Sequence, residues 1–271
     1  HPFTQALNSD PGNEYAVHNF DQDSHQWQDI LDNIHELTQI KATGGETTLS
    51  SGFLQFLDTA IERDCAKNIT LEFHSNCTKF TNKLMDKLNQ FRELRINASI
   101  DSIYKNYDYM RYPMTWDKLS NSLHNYLDKN QRPGTLSINP VVTALNAHSI
   151  PDLYHYEIEL AAKYRRQGLL WVLWTDLLWP EDKYINIKFL PQPIKQELID
   201  LYTEMNQRLD LDFSCNIDNI IAFLTQHLEL EITEQHRVNM LREITAFDKS
   251  RDQCYNDYLH PSIIEFLETP L

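Results

Sequence analysis

Gln39-Ile-Lys-Ala-Thr-Gly-Gly-Glu46 is the stretch of this 271-residue chain that decides its fold. Residues 39–43 have the length and composition of a short β-strand, and the paired glycines predict a turn directly after it. Glycine has no Cβ, so this turn allows main-chain groups to approach a ligand closely. The stretch predicts one strand–turn–helix unit, since an apolar stripe at helical spacing follows at Phe53, Leu54, Leu57, Ala60 and Ile61.

The same unit recurs at intervals of about 25–40 residues, which is typical of a parallel sheet covered by helices. Further strands are predicted at residues 69–74, 94–100, 135–142 and 169–174, with a candidate last strand at 184–190. Five or six strands are too few for a closed eight-stranded barrel. We therefore predict an α/β protein. Residues 1–210 would form an open parallel sheet or a partial, open parallel β/α barrel, and residues 211–271 a helical C-terminal extension.

The charge of the chain limits the partners that it can attract. It has 24 basic and 39 acidic side chains, which gives a formal net charge of −15. General electrostatic binding to nucleic acid or to an anionic membrane is therefore not expected. No apolar stretch approaches the roughly 20 residues of a membrane span, and no signal-peptide pattern opens the chain. We expect a cytoplasmic protein.

Cysteine spacing argues against a metal knuckle or a disulfide framework within the chain. The four cysteines are far apart in sequence, and none lies two or three residues from another. We therefore expect no metal ligands in this chain from Cys65, Cys77, Cys215 and Cys254.

Polar side chains follow the predicted strands at the point where each one ends. Glu46 follows the first strand, Asn76 the second, Ser99 and Asp101 the third, and Asn146 and His148 lie near the end of the fourth. Ligands of open parallel sheets bind at the carboxyl ends of the strands. The sequence therefore predicts a ligand site at this edge of the sheet.

Three of these strand ends resemble, in order, motifs of the radical S-adenosylmethionine (radical SAM) enzymes. Gly44-Gly45-Glu46 resembles the glycine-glycine-glutamate motif after the second strand of that family. His74-Ser75-Asn76-Cys77 is similar to the end of its third strand. Ser99-Ile100-Asp101-Ser102, followed by Asp108 and Arg111, resembles its fourth-strand pattern in the peptide-modifying (SPASM-like) branch. Residues 247–251, with Pro261, resemble the tail of the twitch-domain members.

The resemblance implies a radical SAM type of partial barrel that binds S-adenosylmethionine. Its cofactor-binding residues would be Gly44, Gly45 and Glu46 for the amino group, Ser99 for the ribose or carboxylate, and Arg111 for the carboxylate. Asn76 would shape the neighbouring loop, and Asp101 is either a further site residue or a helix cap. The sequence departs from the family pattern at Thr47, Ser75, Cys77 and Ser102.

The family also uses a 4Fe-4S cluster, held by a cysteine-x3-cysteine-x2-cysteine motif after the first strand. This chain has no such motif. We expect the first strand and the cluster cysteines upstream of His1, and we expect the chain alone to be inactive. With the cluster and an electron donor, the resemblance implies formation of a 5′-deoxyadenosyl radical. This radical would abstract hydrogen from an unknown substrate, such as a peptide or protein.

Two alternatives remain open at this stage. Carboxylates and imidazoles near successive strand ends could bind a divalent metal for hydrolysis or isomerisation, and Glu46, His74, Asp101 and His148 are the candidates. The barrel could instead be a non-catalytic binding or scaffold protein, with a tyrosine-rich partner surface at Tyr104, Tyr107, Tyr109 and Tyr112.

Overall fold

A six-stranded, all-parallel sheet forms the centre of the protein in a computed structural model. The structure describes residues 25–164, 168–173, 175–177, 183–207, 214–215 and 217–270. The six strands of this sheet lie side by side in the order in which they occur along the chain. The predicted α/β class with a parallel sheet is confirmed.

The strands pair in regular parallel register. Gln39 faces Thr70, Leu94 faces Gly134, and Val172 faces Ser214. The short strands β5 and β7 form a separate parallel pair. The strands are β1 (Gln39–Ala42), β2 (Thr70–Ser75), β3 (Glu93–Ala98), β4 (Gly134–Ile138), β5 (Val141–Val142), β6 (Leu169–Leu173), β7 (Asp176–Leu177) and β8 (Ser214–Cys215).

Helices connect successive strands and continue beyond the sheet. They are α1 (His25–Asp32), α2 (Ser51–Glu62), α3 (Asn82–Leu88), α4 (Tyr104–Met110), α5 (Trp116–Lys129), α6 (Ile150–Lys163), α7 (Gln192–Gln207), α8 (Ile217–Gln226), α9 (Glu234–Arg251) and α10 (Pro261–Glu268). Local capping fixes several of the starts. The Ser50 hydroxyl accepts from Phe53 N at the beginning of α2, and the Thr81 hydroxyl accepts from Leu84 N at the beginning of α3.

Burial and backbone conformation explain why β3 and β4 pair where they do. Leu94, Ile96 and Ala98 of β3 are buried, whereas the residues between them are half-buried. Gly134 opens β4 with φ of +147°, and a Cβ there would lie 1.6 Å from the Leu94 carbonyl oxygen. Only glycine fits this close approach of the two backbones.

Two predicted strands differ from the structure. The candidate strand at 184–190 was wrong, because the residues form a turn and a 3-10 helix, Ile187–Phe189. The physical reason is Asn186, whose side-chain oxygen accepts from Lys188 N and so replaces a sheet hydrogen bond. The predicted strand at 135–142 is divided into β4 and β5, since Pro140 cannot donate to a ladder.

The sixth strand of the sheet is β8, in a region where only helical patterns were predicted. Ser214 and Cys215 pair with Val172 and Leu173 at the sheet edge. The boundary predicted between the barrel (residues 1–210) and the C-terminal extension (residues 211–271) thus lies just before a strand that belongs to the sheet. The division into these two domains stays a prediction. Residues 1–24 and 208–213, which the two proposed domains include, lie outside the described residues.

The C-terminal helices contact the barrel through a small polar and aromatic junction. Tyr109 Oη donates to Asp248 Oδ1 at 2.7 Å, and Arg251 Nη1 donates to the Tyr109 carbonyl at 2.8 Å. The rings of Tyr109 and Tyr258 stack with centroids 5.3 Å apart. These contacts place α9 beside the loops that follow β3.

None of the helices in the described part of the chain combines the length and the apolar character that a membrane span requires.

Candidate functional site

Glu46 lies at the end of β1 and joins this strand end to the end of β2. Its Oε1 accepts from the Ser75 hydroxyl at 2.7 Å, and its Oε2 accepts from Asn76 N at 2.7 Å. Oε1 also accepts from Thr48 N at 3.3 Å, which caps a short 3-10 helix over residues 47–49. The carboxylate therefore binds the protein through both oxygens.

Gly44 and Gly45 form an exposed turn directly before this carboxylate. Gly44 has φ of +145°, a conformation that side chains disfavour, and no atom lies within 4 Å of the position where a Cβ would stand at either residue. Within the described part of the chain, neither glycine makes a hydrogen bond. The turn is therefore exposed and not bonded to the rest of the described chain.

The loop after β2 is ordered by its own side chains. Asn76 Oδ1 accepts from Thr78 N at 3.1 Å, and Cys77 N donates to the Ser75 hydroxyl at 2.9 Å. Cys77 has a positive φ of 59° and is fully buried. Burial is the main cause that raises the pKa of the Cys77 thiol, and the nearby Glu46 carboxylate adds to it. The thiol is therefore protonated and is not an available thiolate ligand.

Asp101 and Arg111 form an ion pair beside the end of β3. Arg111 Nε lies 2.5 Å from Asp101 Oδ2, and Asp101 Oδ1 accepts from Val141 N at 2.9 Å. The carboxylate thus links the β3 end to β5. The guanidinium is partly exposed, and none of the described residues accepts a hydrogen bond from its Nη1 or Nη2.

Asn146 holds the loop after β5 in place. Its Nδ2 donates to the Asp101 carbonyl at 2.6 Å and to the Val141 carbonyl at 3.0 Å. Its Oδ1 accepts from Thr143 N at 2.7 Å. Asn146, expected near a ligand, therefore acts as a buried connector of the site loops.

Ser99 lies on the same edge, since its N–H donates to the Ser75 carbonyl at 2.8 Å. The structure therefore connects Glu46 to Ser75 and Asn76, and Ser75 to Ser99. The Cys77 thiol lies close enough to both Glu46 and Arg111 for their charges to alter its pKa in opposite directions. The predicted residues Glu46, Asn76, Ser99 and Asp101 thus lie at neighbouring strand ends, whereas Arg111 follows α4 and reaches this edge through its ion pair with Asp101. The roles of these residues toward a cofactor stay predictions.

A cavity of about 230 Å³ lies between the ends of β3 and β5 and helix α9. Asp101 and Arg251 bring opposite charges to its wall. Sequence reasoning did not place Arg251 in a site, although its segment resembles the twitch tail. The cavity is lined by Asp101, Tyr109, Met110, Val141, Thr143, Leu145, Ile185, Phe247 and Arg251.

The four candidates for a metal-dependent hydrolase are not brought together. Glu46 and Asp101 bind protein groups, and His74 lies on β2, where burial and Lys41 lower its pKa. Among the described residues, a group with metal-binding spacing contains only His148 of the four, together with Glu197 and His260. The proposed metal centre at the strand ends is therefore not supported by the geometry.

The protein thus has an all-parallel sheet with polar side chains at its strand ends and a cavity beside them, and open α/β sheets in general bind ligands at this edge. The structure is similar to that of Streptococcus suis SuiB bound to precursor peptide SuiA, at 14% sequence identity and a TM-score of 0.47. This match covers 91% of this chain and 51% of that chain. SuiB bound to S-adenosylmethionine matches at 11% identity and a TM-score of 0.45, over 78% of this chain and 47% of that chain.

The chain spans about half the length of these SuiB structures. At these TM-scores the likeness carries no argument about function. No protein-family model matches the sequence, and no curated protein matches it. The functional case therefore rests on the residues of the site.

Proposed function

We propose that this chain is the cofactor-binding α/β part of a radical SAM enzyme that acts on a peptide or protein. The observation that carries the proposal is that hydrogen bonds connect the three motif segments at adjacent strand ends. Glu46 accepts hydrogen bonds from Asn76 N and from the Ser75 hydroxyl, and the Ser75 carbonyl accepts one from Ser99 N. Motifs that resemble one family in sequence order thus occupy one continuous edge.

The groups at this edge suit S-adenosylmethionine, which carries an amino group, a carboxylate and a ribose. The open main chain of Gly44 and Gly45 offers carbonyl oxygens to the amino group. The Nη1 and Nη2 donors of Arg111 offer a charged contact to the carboxylate. The half-buried Ser99 offers a hydroxyl to the ribose.

In this proposal the residues of the chain bind and orient the cofactor. S-adenosylmethionine, when bound, supplies a carbon–sulfur bond that one-electron cleavage opens. Glu46 fixes the β1 and β2 loops, Asp101 orients Arg111, and Asn146 holds the Asp101 loop. Positioning of this kind is the contribution of the protein in cofactor enzymes.

The described cysteines do not suit a 4Fe-4S cluster. Cys65 and Cys77 are buried and Cys254 is exposed, and the group with metal-binding spacing in the described chain contains no cysteine. Cofactor binding is therefore the role proposed for the residues of this chain.

The cavity between Asp101 and α9 is where we place the substrate. It adjoins the Asp101–Arg111 pair, and its size of about 230 Å³ suits one side chain of a peptide better than a whole small molecule. Arg251 and Asp101 would then contact polar groups of that peptide.

Calorimetric titration with S-adenosylmethionine tests the proposal without disturbing the charge network. Gly45 has open space at its Cβ position and no positive φ, so Gly45→Leu should fold normally and fill the space of the ligand. We expect the native chain to bind, Gly45→Ala to bind more weakly and Gly45→Leu to lose binding by more than about tenfold.

A matched control is Leu49→Ala, which changes an exposed residue of the same loop region. Its affinity should equal that of the native chain. A folded native chain that does not bind S-adenosylmethionine would contradict the proposal. It would favour the non-catalytic alternative, with which the protein-bonded oxygens of Glu46 are also consistent.

A further inference from the structure

His148 is a buried histidine whose ring nitrogens lack hydrogen-bond partners. Its side chain is 7% exposed, and neither Nδ1 nor Nε2 forms a hydrogen bond in the part of the chain that the structure describes. Buried polar atoms in proteins nearly always have a partner, and an exception indicates a missing water, ion or ligand. The two unbonded ring nitrogens of His148 therefore suggest a ligand at this place.

Two further ligand groups lie beside this ring. Glu197 Oε2, on α7, is 3.5 Å from His148 Nε2, and the His260 ring stacks on the His148 ring with centroids 3.8 Å apart. One ligand atom from each of the three residues lies within 4.8 Å of the other two. Two imidazoles and a carboxylate are a ligand set that zinc and neighbouring divalent metals prefer.

We propose that His148, Glu197 and His260 bind a divalent transition-metal ion, with zinc as the best match. In a tetrahedral site with arms of about 2.0–2.2 Å, neighbouring ligand atoms lie about 3.3–3.6 Å apart. The 3.5 Å between His148 Nε2 and Glu197 Oε2 already has this length. The site does not depend on the proposed S-adenosylmethionine function.

The two rings must tilt when the ion binds. They are now parallel within 7°, and an ion in the plane of one ring cannot also lie in the plane of a parallel ring. His260 can move at small cost, because its Nδ1 accepts from Ser262 N at 3.4 Å, the long limit of a hydrogen bond. Glu197 is 45% exposed and free to adjust its side chain.

The surroundings provide an orienting group and access for the ion. The Ser262 hydroxyl donates to Glu197 Oε2 at 3.2 Å, as outer-shell partners of metal ligands do. Glu197 and Ser262 also line a cavity of about 370 Å³. A fourth ligand, such as water, can therefore bind from this cavity.

The three ligands come from three separate elements. His148 precedes α6, Glu197 lies on α7, and His260 immediately precedes α10. An ion bound here would join the C-terminal extension to the helices of the barrel. Metal binding should therefore stabilise the attachment of the extension.

Titration of the metal-free full chain with Zn²⁺, and with Co²⁺ as a spectroscopic probe, tests the site. We expect one ion per chain, a tetrahedral Co²⁺ absorption spectrum and a melting temperature that rises with Zn²⁺ concentration. Glu197→Gln keeps the size of an exposed side chain, and His260→Ser keeps a residue that can cap α10. Each should weaken Zn²⁺ binding by about 100-fold or more, since outer-shell losses alone cost 10–100-fold.

The control is His155→Gln, an exposed histidine on α6 whose loss should leave Zn²⁺ affinity unchanged. Nuclear magnetic resonance of the histidine ring protons adds a second readout, because tilting the rings out of their stack shifts these signals. Absence of a bound ion in the folded chain would overturn the proposal. So would Zn²⁺ binding that neither Glu197→Gln nor His260→Ser weakens.

Discussion

The carboxyl edge of the sheet and the region of helix α6 differ in whether their polar side chains form hydrogen bonds within the protein. At the edge, Glu46, Asp101 and Asn146 each bind two or more protein groups. On and before α6, the carboxylate of the buried Glu157 and the ring of His148 form no hydrogen bond in the described structure, although His148 Nε2 lies 3.5 Å from Glu197 Oε2. The first region gains stability from its polar groups, and the second loses stability to them.

The difference has consequences for protonation. Burial raises the pKa of Glu157 to about 8, and burial together with the charge of His260 lowers the pKa of His148 to about 4. Both groups are therefore neutral near pH 7.

Asn146→Ala should give the largest effect, because it removes the connector of the site loops. The Asp101 and Val141 carbonyls and Thr143 N would all lose a partner. We expect a loss of about 4 kcal/mol in the free energy of unfolding, measured by urea denaturation. Asn139→Ala is the control, because Asn139 Oδ1 has no hydrogen bond in the described structure, and it should cost under about 1 kcal/mol. Equal losses would show that the hydrogen bonds of Asn146 do not hold the site loops together.

Glu157→Gln should raise the free energy of unfolding instead of lowering it. The folded pKa of Glu157, about 8, exceeds its ordinary value of 4.5, so the native chain loses stability as pH rises from 4.5 to 8. Replacing the acid with an amide should therefore stabilise the protein by about 3 kcal/mol at pH 7 and have little effect at pH 4.

Urea denaturation across this pH range measures the effect, with the exposed Glu159→Gln of the same helix as control. The control should follow the pH dependence of the native chain. If Glu157→Gln instead destabilises the protein more at pH 7 than at pH 4, the folded pKa of Glu157 lies below its ordinary value, and Glu157 has a charged partner as the carboxylates of the sheet edge do.

Glu46→Gln should cost about 2 kcal/mol, because an amide group replaces one of the two charged acceptors. One of the two donors, the Ser75 hydroxyl or Asn76 N, would then face the amide oxygen, which is a weaker acceptor than a carboxylate oxygen. The other would face the amide NH2 group, which cannot accept its hydrogen bond. Thermal and urea unfolding measure the loss, and Glu62→Gln on the exposed end of α2 should leave both unchanged. An unchanged stability in Glu46→Gln would show that the carboxylate does not hold the two strand ends together.

Tyr109→Phe should give the smallest effect, about 1 kcal/mol, since it removes one hydrogen bond to Asp248. The stacked ring on Tyr258 stays. Hydrogen exchange should become faster in α9 than in the sheet. Equal acceleration in both would indicate that the C-terminal extension and the barrel unfold together.

Much of the sheet edge was predictable from the sequence. The carboxyl ends of parallel strands meet at one edge, so polar residues after successive strands must lie near one another, as Glu46, Asn76 and Ser99 do. The pairing of Arg111 with Asp101 was not predictable. It depends on the direction in which the short helix α4 turns the arginine, and the motif spacing contains no information on that direction.

The remaining features depend on contacts between distant parts of the chain. A strand of two residues, Ser214–Cys215, has no period to detect and forms because β6 offers a free edge. The grouping of His148, Glu197 and His260 requires three helical segments to meet, and each residue alone has the pattern of an ordinary polar position. Asn186 was misjudged because its side chain competes with the sheet for backbone hydrogen bonds.

The most direct test of the central claim is to follow backbone amide resonances of the ¹⁵N-labelled chain during titration with S-adenosylmethionine. If one ligand contacts all three strand ends, the amides of residues 44–46, 76–77 and 99–101 should shift together and saturate at the same concentration. Shifts confined to a single segment, or an unchanged spectrum of the folded chain, would contradict a shared cofactor site at the carboxyl edge of the sheet.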